Sequence, residues 1–146
     1  MKVLHIDSSI MADASVSRQL SQAIVSQLSE KHAQVEVEYL DLATQPIPHL
    51  DAEILMGQNA EQSALGERII QQYLDADVVV IGAAMYNFGI TSTLKAWIIA
   101  LVLQVVPLNI RKMALSVWLV TRKPILPVVA VVSMVKIVLL TSKKAS

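Results

Sequence analysis

Four consecutive β-branched apolar residues, Val78-Val79-Val80-Ile81, constrain the fold of this chain more than any other stretch. The run is too short to cross a bilayer. It has the length and side-chain type of a strand buried on both faces, which places it inside a sheet rather than at its edge. Gly82-Ala83-Ala84 ends the apolar run, so the strand is predicted to stop near Ala83, with Met85-Tyr86-Asn87-Phe88 in the loop at its carboxyl end. In an open parallel α/β sheet that edge is where ligands bind. A thioether, two aromatic rings and a carboxamide offer stacking area together with a donor and an acceptor, which suits a flat heteroaromatic ligand. The same residues also suit a hydrophobic turn capping a core strand, and the loop alone does not choose between the two.

Strand and helix patterns alternate on either side of this run. Lys2–Asp7 (KVLHID) is a short apolar stretch closed by a polar cluster, the pattern of a first parallel strand. A helix is predicted over Ser17–Lys31, with Leu20, Ile24, Val25 and Leu28 on one face. In Gln34–Leu42, Val35, Val37 and Tyr39 alternate with Glu36 and Glu38, which predicts a strand with one wet face near the sheet edge. Pro46-Ile47-Pro48 then excludes both helix and regular ladder. A second helix over Glu61–Asp75 presents Ala64, Leu65, Ile69, Tyr73 and Leu74, and a third begins near Thr91 with Leu94 and Trp97 inward and Lys95 outward. The order β-α-β-α-β-α predicts a doubly wound parallel sheet between two helical layers.

The loop from Ser8 to Ser17 supplies Ser8, Ser9, Ser15 and Ser17 just ahead of a helix N-terminus, where backbone amides and the helix dipole favour an anion. Serine is also the usual N-cap. The loop lacks the glycines of a P-loop or dinucleotide fingerprint, so on spacing alone capping is favoured over phosphate binding.

A chain of 146 residues holds one domain with a core of its own. The absence of cysteine excludes disulfides, thiolate metal sites and cysteine nucleophiles. His32 and His49 read as surface residues and His5 as a satisfied strand histidine; none has partners at metal-ligand spacing, and no metal site is expected. Met1–Ile6 runs into Asp7 without a basic-then-apolar leader, and a cytoplasmic location is the expectation. The net charge of zero conceals an asymmetry: residues 1–98 carry all 12 acidic side chains and 5 basic ones, and residues 99–146 carry 7 basic and no acidic ones.

The segments KVLHIDSSI, the S-x-S at Ser15-Val16-Ser17, Asp41-Leu42 followed by Pro46-Ile47-Pro48 and Leu50-Asp51, and MYNFGI…LKAW occur in order and in the expected elements. Over residues 1–98 the chain therefore resembles the flavodoxin-like FMN-dependent NADH azoreductases and quinone reductases. The resemblance implies a three-layer α/β/α fold in which the second strand lies outside the first and the third on its other side. It implies a homodimeric cytoplasmic flavoenzyme in which NADH reduces FMN and the flavin passes electrons to a quinone or azo compound. By position, Ser9, Ser15, Val16 and Ser17 correspond to the family's FMN-phosphate loop, and Met85, Tyr86, Asn87 and Phe88 to its flavin-ring loop. The flavin carries the chemistry, so no catalytic side chain is implied. Ala84 stands where the family usually has proline.

From Ile99 the resemblance stops. At ordinary usage a 48-residue stretch carries about six acids, and residues 99–146 hold neither an acid nor a glycine. The expectation is a flavodoxin-like portion over 1–98 and an atypical apolar, basic tail over 99–146. That tail lacks the family's fourth strand and its Arg-Gly-Gly loop, leaves the sheet incomplete at its C-terminal side and impairs the enzyme. Translation in a shifted reading frame is the hypothesis for so abrupt a change; a gene whose shifted frame encodes no glycine-containing continuation of the family pattern excludes it. Two alternatives are a non-catalytic binding module and a membrane-associated protein anchored through 124–140. In the latter window Pro124, Pro127 and Lys136 interrupt a run already short of the roughly 20 residues a span needs. The tail's basic residues are scattered among valines and leucines with Trp118 as the only aromatic, which gives no platform for nucleic acid.

Overall fold

A computed structural model describes residues 1–105 and 128–133, the last segment and Val105 as backbone alone. The elements are β1 (Lys2–Asp7), α1 (Val16–Lys31), β2 (Glu36–Asp41), α2 (Ala52–Leu55), α3 (Ala60–Asp75), β3 (Val78–Tyr86), β4 (Gly89–Ile90), α4 (Ser92–Val105) and β5 (Val128–Ser133). β1 pairs in parallel with β2 on one side, from Lys2↔Glu36 to Asp7↔Asp41, and with β3 on the other, from Val3↔Val78 to Asp7↔Gly82. The expected strand order is therefore present, with β2 at the edge.

Alternation along β1 divides the core. Leu4 and Ile6 pack with Val79, Ile69 of α3 and Leu94 and Trp97 of α4, whereas Val3 packs with Val80 and Val25 of α1 on the opposite face. Every residue of β1 after Lys2 is buried, as a strand covered on both faces requires.

Several local expectations are corrected. Periodicity assigned Leu20 to the buried face of α1, yet Leu20 is 44% exposed, and Ser17 and Ser21 lie buried with Val25. The cause is polar: Ser21 Oγ donates to the buried Asp7 carboxylate at 2.8 Å, so a small hydroxyl residue faces the sheet where a leucine would clash. On α3, Ala64 and Leu74 face solvent, while Gly66 and Ile69 are buried, Gly66 lying where an added Cβ would strike the Gln104 side chain of α4. β2 is shorter than predicted at both ends.

The longest correction concerns β3. Gly82-Ala83-Ala84 does not end the strand, which runs on to Tyr86 and turns back through Asn87-Phe88 into the antiparallel pairs Met85↔Ile90 and Tyr86↔Gly89. Gly82 sits mid-strand because the Asp7 carboxylate occupies the place of its missing Cβ.

A fourth parallel strand was expected to be missing. Val128–Ser133 occupies its place beside β3, in register from Val79↔Val128 to Ala84↔Ser133, as a run of β-branched residues can. These six residues fall inside the 124–140 window considered as a membrane segment, and the rest of that window lies outside the described residues. Among the described residues no helix is long and apolar enough to cross a membrane. α4 runs without a break through the point near residue 98 where the composition changes.

Candidate functional site

The parallel register brings the ends of β1 and β3 to one sheet edge, and Ser8 fastens them together. Its amide and its hydroxyl both donate to the Gly82 carbonyl, at 3.2 and 3.0 Å, and its Oγ accepts from the Ala84 amide at 3.3 Å. Ser9 follows, buried, with Oγ accepting from the Met11 amide at 3.2 Å. The chain then makes a one-turn 3-10 segment at Ala12–Ala14 and enters α1.

Ser15 is the N-cap of α1, its Oγ accepting from the Arg18 amide at 3.3 Å and lying 3.0 Å from Ser17 Oγ. The capping function expected of a serine here is therefore present. The amides of Val16 and Ser17 remain without intrahelical acceptors, as in any first turn, and the Val16 side chain faces solvent.

At the end of β3, Asn87 and Phe88 have φ of 49° and 62°. Two successive positive φ values make a tight hairpin turn whose twist matches the flanking strands. Asparagine adopts this backbone readily; phenylalanine does so at a cost of about 1 kcal/mol or more. Phe88 pays no part of that cost through packing, since it is 95% exposed. Met85 and Tyr86, predicted as loop, are the last residues of the strand.

Tyr86 joins the two halves. Its hydroxyl lies 3.2 Å from Ser9 Oγ and accepts from the Ile10 amide at 3.3 Å. Of the residues singled out from the sequence, Ser9 and Tyr86 are thus in direct contact, Ser15 and Ser17 form a second pair, and Asn87 and Phe88 stand at the hairpin tip.

Behind the serine loop lies a polar network that periodicity could not show. Arg18 forms a bidentate ion pair with Asp41 at 2.9 and 2.7 Å, and also donates to the Ser9 carbonyl and the Tyr39 hydroxyl. The hydrogen bond to Asp41 holds the Arg18 guanidinium above its ordinary pKa. Burial alone would push the Asp41 carboxyl up; the Arg18 hydrogen bond, the Ala43 amide and the Arg18 charge outweigh it, and the net shift is downward. Tyr39 is pushed up to about 12, first by burial and then by the Asp7 charge. Asp7 Oδ2 accepts from the Tyr39 hydroxyl at 3.1 Å. His5, expected to be satisfied, is buried with Nε2 unpartnered among the described residues, 3.5 Å from Asp7 Oδ2, its ring tilted against Tyr39 at 4.9 Å. The one sequence signal for this network is a lone arginine three residues after a capping serine, with an aspartate closing the neighbouring strand.

Residues 1–109 match a family described as having the flavodoxin-like fold. The chain belongs to this flavodoxin-like family. It is 53% identical over 98 residues to FMN-dependent NADH:quinone oxidoreductase 1 of Xanthomonas axonopodis pv. citri (strain 306), covering 67% of this chain and 51% of that protein. To the FMN-dependent NADH:quinone oxidoreductase of Methylocella silvestris it is 48% identical over 113 residues, covering 70% and 55%. Among solved structures it superposes on the azoreductase AzrA with a TM-score of 0.64 at 25% identity, and on an azoreductase from Bacillus anthracis str. Sterne with 0.61 at 26%, each covering 69% of this chain and 55% of the other. The flavodoxin-like chain spans about half the length of the curated relatives it matches.

Proposed function

We propose that this flavodoxin-like chain holds FMN at the carboxyl edge of β1 and β3 and carries the NADH-dependent reduction of quinones or azo compounds. The observation that supports this most is the contact of Tyr86 with Ser9 and Ile10, which brings the serine loop and the β3 hairpin side by side. The chemistry of the donor set suits the cofactor at both ends. Hydroxyls of Ser9, Ser15 and Ser17 and the free amides of Val16 and Ser17 gather at the N-terminus of a 16-residue helix, where a phosphate is favoured. Met85, Tyr86 and Phe88 offer sulfur and ring faces to an isoalloxazine, and the Asn87 carboxamide can both donate to and accept from its polar edge. When bound, FMN supplies the two-electron transfer from NADH to the acceptor. The protein's part is to orient the ring and leave one face accessible; no side chain serves as nucleophile. A homodimer in the cytoplasm belongs to the same proposal.

We further propose that the chain holds FMN weakly and turns over slowly. Glycine lets backbone amides approach a flavin closely, and residues 99–146 contain none. Purified full-length chain should show partial flavin absorbance and slow quinone-dependent NADH oxidation. A folded chain that binds no FMN in titration overturns the proposed function. A soluble dimer with a full complement of FMN and rapid turnover overturns the proposed impairment.

A further inference from the structure

We infer that Arg18 is a positioning residue for the serine loop: it fixes where Ser9 and the following amides stand without itself touching the anion. The inference rests on the proposed phosphate role of that loop. A guanidinium carries five N–H donors, and all five are committed inside the protein. Nε and one Nη2 hydrogen go to the Ser9 carbonyl, at 3.2 and 2.7 Å; one Nη1 hydrogen goes to the Tyr39 hydroxyl at 2.8 Å; the remaining two form the fork on Asp41. No donor is left for a ligand, and the Asp41 carboxylate neutralises the charge at contact distance. Asp41 is itself fixed, accepting from the Ala43 amide at 3.0 Å.

What the arrangement accomplishes is mechanical. Arg18 stands in the first turn of α1, Ser9 at the exit of β1 and Asp41 at the end of β2, so one planar group ties the loop to the helix and to the edge strand. Holding the Ser9 carbonyl from behind turns the Ser9 hydroxyl and the Ile10 amide towards Tyr86, the residue that closes the site from the other side. A lysine keeps the charge but has a single nitrogen with three donors, and cannot fork onto Asp41 while also clamping the carbonyl.

The test compares FMN with riboflavin, which lacks the phosphate, by fluorescence titration of the full-length wild type, Arg18→Lys and Asp41→Asn, with circular dichroism and thermal melts alongside. Both variants should lose affinity for FMN by about tenfold, with riboflavin affinity held within about twofold. The sign in Asp41→Asn is decisive, because that change makes the site more positive. If Arg18 served as a long-range attractor, Asp41→Asn would raise FMN affinity and Arg18→Lys would preserve it; either result overturns the inference. Equal loss of both ligands together with a lowered melting temperature also overturns it, since the effect is then general destabilisation. If Arg18→Lys does not fold, Asp41→Asn decides by the same sign. A wild type that binds FMN no better than riboflavin refutes the phosphate role of the loop instead, and is thereby distinguished from failure of the Arg18 inference.

Discussion

The loops that follow β1 and β3 share one sheet edge and are built in opposite ways. After β1, Ser8, Ser9, Ser15 and Ser17 are all buried, and their hydroxyls bond to backbone, to one another or, at Ser9, to Tyr86. After β3, the hairpin projects Phe88 into solvent on a backbone that phenylalanine rarely adopts. The first loop is fixed before any ligand arrives, which lowers the entropic cost of binding a small anion. The second carries exposed ring surface and backbone strain, which persist where a function requires them. One half of the proposed site therefore supplies anchorage and the other access.

The sharpest way to break this contrast is to attack what keeps the first loop fixed. Gly82→Ala places a methyl group on the Asp7 carboxylate and disturbs its bond to Ser21. Unfolding in urea should show a loss of about 3 kcal/mol, from overpacking and from a disrupted buried hydrogen bond. A loss under about 1 kcal/mol would mean that the network yields easily and that the loop is less fixed than its geometry implies.

Two substitutions at Ser15 separate its functions. Ser15→Ala should cost about 1 kcal/mol through the lost cap and also weaken FMN binding. Ser15→Asp keeps a capping oxygen, so stability should stay within about 0.5 kcal/mol, while a negative charge facing the phosphate lowers FMN affinity by at least about tenfold. If Ser15→Asp binds FMN as well as wild type, Ser15 is a cap and nothing more.

The hairpin should respond in the opposite sense. Phe88→Gly relieves the positive φ and should stabilise the fold by about 0.5–1 kcal/mol, while removing ring surface that the proposed site uses, at a cost of about fivefold in flavin affinity. Unchanged flavin affinity in this variant would remove Phe88 from the site.

The smallest effects are those of pH. Asp41 has its pKa lowered in the fold, so its contribution to stability is present above the unfolded carboxyl pKa of about 4 and is lost as pH falls through the lower folded value. Tyr39 has its pKa raised to about 12, so its contribution is full below about 10 and is lost as pH rises towards 12. Urea midpoints against pH should show both limbs, with Asp41→Asn flattening the acid limb and Tyr39→Phe the alkaline one.

The elements legible in the sequence were those with a single dominant cause. Val78–Ile81 is β-branched and apolar throughout, and it could be little else than a central strand. The alternation in Val35–Tyr39 reads as an edge strand, and β2 is one, but its apolar residues Val37 and Tyr39 are exposed along with Glu36 and Glu38, so no dry face forms there. Errors arose where a polar contact overrode periodicity. Ser21 displaces Leu20 from the sheet face because it serves Asp7, and Gly82, which reads as a strand end, makes room for the same carboxylate. The eight candidate site residues rest on family motifs and a sheet-edge argument, and the contacts Ser9–Tyr86 and Ser15–Ser17 are what the structure adds. The Arg18–Asp41 pair behind them was not found, because it joins residues 23 positions apart in the chain through geometry that no short motif encodes. The valines of β5 lay in a segment unlike the family, and side-chain type alone suited them to a strand.

The hydroxyl of Tyr86 has a further consequence. It is held at the far end of a rigid aromatic ring whose base is locked into the β-ladder by the pair Tyr86↔Gly89. The gap between serine loop and hairpin is accordingly set by covalent bond lengths rather than by how two pliable loops happen to settle. Under the proposed function such a site would act as a gauge, sorting molecules by the separation of their anionic end from their flat end.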